Sequence, residues 1–170
     1  EFRNGKVAKN RVVVPPMASQ TADAKGHATA ATVAHYRNLA ASGAGLVFVE
    51  YSFVHSSGRG EDRQLGIDSD DQIEGLAQIA QVIREEGALS GVQIVHVGGK
   101  TTSELAGTQP LGPSAITVPV QGWQPETPRE ANQEDIQNLI GWYVHAAKRG
   151  AAAGFDLVEL HAAHGYGLNQ

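Results

Sequence analysis

Residues 154–166 read Gly-Phe-Asp-Leu-Val-Glu-Leu-His-Ala-Ala-His-Gly-Tyr, and they indicate the architecture of the whole chain. A glycine that ends a helical pattern precedes residues 155–160, a short apolar run typical of a buried strand. His161, His164 and Tyr166 come directly after the carboxyl end of that strand. In barrels of alternating strands and helices, catalytic groups gather at this edge. The stretch therefore predicts a site with two imidazoles and a phenol, groups that can polarise a carbonyl and protonate a carbon.

Three earlier segments also have the pattern of strands buried on both faces, since each is a short, continuous apolar run. They are residues 12–14, 46–50 and 92–97. Apolar residues at helical spacing, which we expect to face the core, lie between them: Val33, Tyr36, Leu39 and Ala40; Ile73, Leu76, Ala80 and Ile83; and Ile136, Ile140, Tyr143 and Ala147. Strands that alternate with helices predict an α/β fold with a parallel sheet and right-handed crossovers. An open doubly wound sheet and half of an eight-stranded barrel both fit this order.

Two helix starts and one long connection complete the predicted organisation. Gln72 follows Ser69 at the spacing of a capping box, and Asn132 is placed to cap the last helix. Residues 98–130 hold five of the seven prolines. We interpret them as one long ordered loop over the strand ends, since long loops in compact domains are usually functional. Within this loop, Trp123 is either a loop anchor or a substrate contact.

Composition favours one globular domain and argues against several classes of partner. The 170 residues suffice for one hydrophobic core, and a net charge of −5 without a basic cluster disfavours nucleic acid. Because the chain has no cysteine, it can form neither a thiolate metal site nor a thiol nucleophile. No apolar run approaches the roughly 20 residues of a membrane helix, and no secretory signal is visible. We therefore predict a cytoplasmic protein without a membrane partner.

Taken in order, the motifs of the chain resemble the N-terminal half of the old yellow enzyme family, which comprises FMN-dependent NAD(P)H oxidoreductases and ene-reductases. The matching segments are residues 9–17, 35–37, 45–50, 93–98, 112–115, 128–130 and 153–166. Each segment is a weak signal by itself, but their order makes the resemblance specific. It implies that residues 1–170 form the N-terminal half of a single FMN-binding (β/α)8 TIM-barrel domain, with the C-terminal half absent.

The resemblance also implies roles for individual residues. FMN would lie at the C-terminal face of the barrel. The implied cofactor-binding residues are Pro16, Met17, Ala18, Glu50, Tyr51, Gln93 and His161, with Gln93 on the pyrimidine side of the isoalloxazine. His161 and His164 would bind the carbonyl oxygen of the substrate, and Tyr166 would donate a proton. No metal is implied.

Three positions carry further expectations. Ala18 stands where many relatives have Cys or Thr, which removes a side-chain contact that tunes the flavin potential. Gly167 stands where a leucine is usual, which predicts looser packing behind Tyr166. His96 lies inside the third strand without a matched substrate role, so we expect a structural histidine with satisfied hydrogen bonds.

The implied reaction is reduction of the C=C bond of an activated alkene, such as an α,β-unsaturated carbonyl, with NADH or NADPH as reductant. Two alternatives stay open. The first is that the chain is a non-catalytic half-barrel fragment or interaction module. Its exposed strand edges would then self-associate or bind the missing C-terminal half. Alternatively, it is a metal-dependent barrel hydrolase that uses His161, His164 and Glu159, since imidazoles bind zinc or iron.

Overall fold

A parallel sheet is the central element of the protein, of which the computed structural model describes residues 1–119, 124 and 126–170. The strands are β1 (Val13–Val14), β2 (Leu46–Phe53), β3 (Leu89–Val95), β4 (Leu111–Gly112), β5 (Arg129–Glu130) and β6 (Leu157–Leu160). The main sheet has the order β1-β2-β3-β6, and each neighbouring pair is parallel. Its inner strands β2 and β3 are buried along almost their whole length, as their continuous apolar runs predict.

The order of the strands distinguishes the two predicted architectures. A doubly wound sheet reverses its strand order at a switch point, where the chain crosses from one face to the other. Here the order of the strands in the sheet follows their order in the chain. Because crossover connections between parallel strands are right-handed, this order places all crossover helices on the same face of the sheet. That is the arrangement in the wall of a barrel.

Helices pack on this sheet, and their starts match the capping signals in the sequence. The helices are α1 (Ala30–Ala40), α2 (Ile73–Glu85), α3 (Ser103–Ala106) and α4 (Gln133–Ala152), and α2 contacts both α1 and α4. Ser69 and Gln72 form the predicted capping box, in a turn that leads into α2. Asn132 Oδ1 accepts a hydrogen bond of 2.9 Å from the backbone N–H of Asp135, which confirms the predicted cap of α4. Among the described residues, no helix has the length and apolar character needed to cross a bilayer.

The long helix α4 buries only part of the predicted face, since Tyr143 and Ala147 meet the core but Ile136 and Ile140 do not. Ile136 and Ile140 are 44% and 52% exposed, whereas Tyr143 and Ala146 are buried. The prediction that both isoleucines face the core is therefore wrong. Val144 continues the exposed stripe at the same spacing of four residues, so the helix carries two overlapping apolar faces. Periodicity alone cannot tell which of the two faces meets the sheet.

The described part of residues 98–130 is more structured than the predicted loop. They contain α3 and a parallel pair of two-residue strands, in which Leu111 of β4 lies opposite Arg129 of β5. The backbone N–H of Arg129 also donates to the carbonyl oxygen of Pro110 over 2.7 Å. Strands this short have no periodic pattern, so the sequence could not reveal them. Trp123 lies outside the described residues, and both of its interpretations stay predictions.

Apolar side chains are exposed at both edges of the main sheet. Val12, which precedes β1, is 62% exposed, Val13 of β1 is 46% exposed, and Leu160 of β6 is 58% exposed. A strand edge with exposed apolar residues is a template for pairing with another chain. The exposed edges agree with the expectation for half of a barrel, while self-association stays a prediction.

Candidate functional site

The carboxyl ends of the four main strands meet around one open cavity of about 450 Å³. Parallel strands end at a common edge, so residues far apart in the chain come together there. The lining residues are Pro15, Pro16, Ala18, Tyr51, Glu61, Gln93, Glu159, Leu160, His161, Ala162, Ala163, His164 and Tyr166. The structure thus gathers the three predicted catalytic residues with most of the residues predicted to bind FMN.

The turn after β6 is held in one conformation by backbone hydrogen bonds. The N–H of His161 donates to the carbonyl oxygen of Ile94 over 3.1 Å and so continues the pairing with β3. His164 has a φ of 59°, in the left-handed region that residues other than glycine rarely adopt, and Gly165 follows with a φ of 71°. Lys100 Nζ donates to the carbonyl oxygen of His164 over 2.9 Å. Such rare conformations, held by their surroundings, are typical of functional sites.

The environment of His161 makes its imidazole a neutral hydrogen-bond donor. Burial lowers its pKa, and the nearby His164 lowers the pKa further. Nδ1 of His161 accepts a hydrogen bond of 3.3 Å from the backbone N–H of Ala163. A neutral imidazole that accepts at one nitrogen carries its proton on the other. Nε2–H is therefore available to an oxygen atom in the cavity.

Tyr166 lies between aromatic neighbours and keeps its proton at neutral pH. Its ring centroid is 4.9 Å from that of His161 and 6.4 Å from that of His164. On another side, the ring stacks on Tyr51, with the centroids 5.7 Å apart. Burial raises the pKa of Tyr166. A protonated phenol beside two imidazoles can serve as a general acid.

Gln93 and Glu159 contribute a directed pair of polar groups on adjacent strands. Nε2 of Gln93 donates to Oε1 of Glu159 over 2.6 Å. A carboxylate only accepts hydrogen bonds, so this contact sets the orientation of the amide and turns its oxygen away from Glu159. That oxygen can accept from an N–H group, such as the one on the pyrimidine ring of an isoalloxazine. The geometry therefore fits the FMN contact predicted for Gln93.

Two residues predicted to border FMN do not line the cavity. Met17 is 54% exposed, and Glu50 is fully buried on the other side of its strand. Oε1 of Glu50 accepts hydrogen bonds from Ser19 Oγ at 2.5 Å and from the Tyr36 hydroxyl at 3.2 Å, and burial raises its pKa. Ser19 follows Ala18 directly, so Glu50 supports the segment that lines the cavity. The predicted positions of Met17 and Glu50 beside FMN stay predictions.

His96 is the structural histidine that the sequence predicts. It is 1% exposed, its Nδ1 accepts from the N–H of Gly98 at 3.1 Å, and its Nε2 lies 3.1 Å from Ser57 Oγ. Burial lowers its pKa to about 4. At Gly167 the backbone approaches closely, because a Cβ there would lie 2.6 Å from the carbonyl oxygen of His96, while looser packing behind Tyr166 stays a prediction.

Glu61 is a residue of the cavity to which the sequence assigned no role. Its Oε1 accepts a hydrogen bond of 2.5 Å from the Tyr51 hydroxyl, and its Oε2 accepts one of 3.0 Å from Gln20 Nε2. Glu61 follows Gly60 in a polar turn, and a single acidic residue in such a turn belongs to no motif that the sequence could reveal. Lys100 also belongs to no motif that assigns it a role in this site, although its Nζ lies 5.0 Å from the centroid of the Tyr166 ring.

A metal centre receives no support from the arrangement of side chains. Across the ranges that the structure describes, no three His, Asp or Glu residues are grouped so that they could hold a metal ion. Glu159 is instead engaged with Gln93. The hydrolase alternative therefore lacks a convergent set of ligands in this part of the chain.

Parallel strands in chain order, with polar groups at their carboxyl ends, define a protein of the (β/α)-barrel class. The chain belongs to the NADH:flavin oxidoreductase / NADH oxidase family, whose model matches residues 2–170. It is 39% identical over 163 residues to the NADPH dehydrogenase of Bacillus subtilis (strain 168), covering 95% of this chain and 46% of that protein.

Solved structures agree with the assignment. The old yellow enzyme homologue from Zymomonas mobilis has a TM-score of 0.88 and 33% identity, over 96% of this chain and 47% of that one. Morphinone reductase in complex with tetrahydroNAD has a TM-score of 0.86 and 27% identity, over 97% and 48% of the two chains.

These similarities confirm the predicted family and fold class. The chain consists of parallel strand–helix units that cover the first half of a (β/α)8 TIM barrel. It spans about half the length of the relatives that it matches, 46% of the Bacillus subtilis protein. FMN and a nicotinamide reductant are the cofactors of this family, as the resemblance predicts.

Proposed function

We propose that the protein containing this chain is an FMN-dependent NAD(P)H oxidoreductase that reduces the C=C bond of activated alkenes, such as α,β-unsaturated carbonyls. One observation carries the proposal, the convergence of His161, His164 and Tyr166 on the cavity. The two imidazole centroids are 5.1 Å apart, and the phenol ring lies within 6.4 Å of both. Gln93 borders the same cavity, with its amide oxygen turned away from Glu159.

The residues of the chain have distinct tasks in this reaction. His161 and His164 bind the carbonyl oxygen of the alkene and stabilise the negative charge that develops on it in the transition state. Tyr166 donates its proton to the α-carbon. Its raised pKa keeps the phenol in the acid form that this step requires. When bound, FMN supplies the hydride chemistry, with NADH or NADPH as the source of electrons.

Holding FMN requires both chemical recognition and shape. Gln93 would accept a hydrogen bond from the pyrimidine N–H, and Pro16 and Ala18 would border the ring. Ala18 offers only a methyl group at its position, so the segment contributes surface and backbone groups. His161 lines the same cavity, so it would border the ring as well as bind the carbonyl oxygen of the substrate.

We further propose that residues 1–170 act as the N-terminal half of one complete barrel domain. The second half would pair with the exposed edges at Val13 and Leu160, which are 46% and 58% exposed here. Without that half, the same edges favour self-association. Dependence on NADH or NADPH suits an enzyme of the cytoplasm, where we place its activity.

The test uses the purified full-length protein. We expect a yellow protein that releases FMN on heating, whose flavin is bleached by NADH or NADPH under anaerobic conditions. Cyclohexenone should then restore the oxidised spectrum, whereas cyclohexanone, which has the carbonyl but not the C=C bond, should not. Colourless protein that fails to take up added FMN would overturn the proposal. Reoxidation by neither ketone would overturn the substrate class.

A further inference from the structure

Tyr51 forms a rigid platform beneath Tyr166. The two rings are almost parallel, with an angle of 12° between their planes and 5.7 Å between their centroids. Tyr51 is 7% exposed and packs with Val95 and Val97, and Tyr166 lies against this buried cluster. Because the core holds the Tyr51 ring, stacking on it restricts the plane that the Tyr166 ring can adopt.

The hydroxyl of Tyr51 is held from its far side by Glu61. It donates to Oε1 of Glu61 over 2.5 Å, and Gln20 Nε2 holds the second carboxylate oxygen at 3.0 Å. Burial raises the pKa of Tyr51, and Glu61 raises it further, so a free Tyr51 phenolate is disfavoured. Glu61 itself is only partly buried and belongs to the rim of the cavity, where solvent reaches it.

We propose that Tyr51 and Glu61 form a proton-supply chain for Tyr166, in which Tyr51 positions the donor and Glu61 connects it to solvent. The proposal rests on the proposed function, in which Tyr166 protonates the substrate. While Tyr166 is protonated, the single hydroxyl proton of Tyr51 is donated to Glu61. Once Tyr166 has lost its proton, its phenolate is a much stronger base than a carboxylate, with ordinary pKa values of about 10 and about 4. Tyr51 then donates to Tyr166 instead.

The proton count of this cycle is balanced. The O–H bond of Tyr166 breaks as the new C–H bond of the product forms. A solvent proton that has entered at Glu61 then moves to the Tyr51 oxygen as the hydroxyl proton of Tyr51 moves to the phenolate oxygen of Tyr166, so Tyr51 is never left as a phenolate. Each turnover therefore takes up one proton from water and needs no further oxidant or reductant.

Tyr51 and Glu61 have opposite effects on the pKa of Tyr166, and this makes the proposal testable. The ionisable side chains that face it in the described residues are Tyr51 of β2, Glu61 of the loop after β2, Lys100 after β3, and His161 and His164 of the turn after β6. Burial has the largest effect and raises the pKa of Tyr166; a hydrogen bond from Tyr51 lowers it, and the charge of Glu61 raises it. Removing the Tyr51 hydroxyl should thus raise the pKa of Tyr166, and removing the Glu61 charge should lower it.

The experiment compares Tyr51→Phe, which keeps the stacked ring, with Glu61→Gln, which keeps the shape of the carboxylate. Asp62→Asn is the matched control, because Asp62 is the next residue, is 81% exposed and pairs with Arg59. The pKa of Tyr166 is read from the ultraviolet absorbance of its phenolate in full-length holoprotein, as the difference from the same variant carrying Tyr166→Phe. We expect Tyr51→Phe to raise this pKa by about one unit, Glu61→Gln to lower it by about one unit, and Asp62→Asn to leave it unchanged.

Shifts in the same direction, or none, would overturn the proposal, because a purely packing role for Tyr51 produces no opposed pair. If Tyr51→Phe does not fold, the sign of the Glu61→Gln shift decides alone. In rapid-mixing kinetics, Tyr51→Phe should slow reoxidation by cyclohexenone about tenfold, and by more than it slows flavin reduction. Wild-type protein that cannot reduce an enone would overturn the proposed function, while the titration would still decide the pairing of Tyr51, Glu61 and Tyr166.

Discussion

The amide nitrogen of Gln93 donates to Oε1 of Glu159 over 2.6 Å, and the two residues lie opposite each other in the register of β3 and β6. Both side chains line the cavity. Hydrogen bonds to a charged acceptor are about twice as strong as those between neutral groups. This contact therefore holds the Gln93 amide in one orientation before any ligand arrives, and presents its oxygen as an acceptor.

Glu159→Gln should weaken FMN binding by the full-length protein about five- to tenfold. The neutral amide retains the shape of Glu159 but can donate as well as accept, so Gln93 loses its fixed orientation. The loss corresponds to about 1 kcal/mol. Fluorescence quenching of FMN measures the affinity. Glu130→Gln, which removes an equal charge from the exposed strand β5, should leave it unchanged. Equal affinities for Glu159→Gln and wild type would contradict the assigned role.

Tyr166→Phe should slow the reoxidation of reduced protein by an enone at least about 100-fold and leave flavin reduction by NADH or NADPH nearly unchanged. General acid catalysis typically contributes a factor of that order, and phenylalanine keeps the ring without the proton. Rapid mixing under anaerobic conditions separates the two half-reactions. His161→Ala should instead weaken the binding of enones and phenols, because it removes a donor to oxygen. Equal slowing of both half-reactions by Tyr166→Phe would remove it from the role of proton donor.

His96 should make the protein less stable as the pH falls from about 6.5 to about 4. Burial lowers the pKa of His96 to about 4 in the folded protein, whereas an unfolded chain has the ordinary value of about 6.5. Between these values the unfolded state binds more protons, so stability is full above the upper value and is lost as the pH approaches the lower one. The loss is on the order of 3 kcal/mol.

Urea unfolding at about pH 7 and about pH 4.5 measures this dependence. His96→Gln should be less stable than wild type at the higher pH but should show a smaller loss between the two. His145→Gln changes an exposed histidine of α4 and should reproduce the wild-type dependence. An identical pH dependence in wild type and His96→Gln would show that this histidine does not titrate as inferred.

Residues 1–170 expressed alone should self-associate and bind FMN poorly. In the part of the chain that the structure describes, the main sheet has four of the eight barrel strands, and apolar residues are exposed at its edges and on α4. Light scattering gives the mass, and fluorescence quenching gives the affinity for FMN. Ile140→Lys, on the exposed face of α4, should reduce association more than Ile116→Lys, since Ile116 is 70% exposed in a loop. A monomer that binds FMN tightly and reduces cyclohexenone would contradict the half-barrel proposal.

Local patterns in the sequence predicted most of the secondary structure and the centre of the site. The inner strands β2 and β3 are buried apolar runs, as predicted, whereas the predicted burial of β1 and β6 is incomplete because they are edge strands. The capping residues Ser69 and Asn132 lie at the helix starts that they mark. His161, His164 and Tyr166 come from one short turn, so their proximity required no knowledge of distant contacts. Such features depend on neighbours within a few residues, and the sequence records them directly.

Other features depend on contacts between distant segments and became visible only in the folded chain. The face that α4 buries, the pairing of Gln93 with Glu159 and the hydrogen bond from Tyr51 to Glu61 belong to this group. The position of Glu50 is a further example, because this residue adjoins Tyr51 in the chain yet points to Tyr36 and away from the cavity. In each case the partner is chosen by how helices and strands pack together, since alternate residues of a strand face opposite sides and a helix can bury either of two apolar faces.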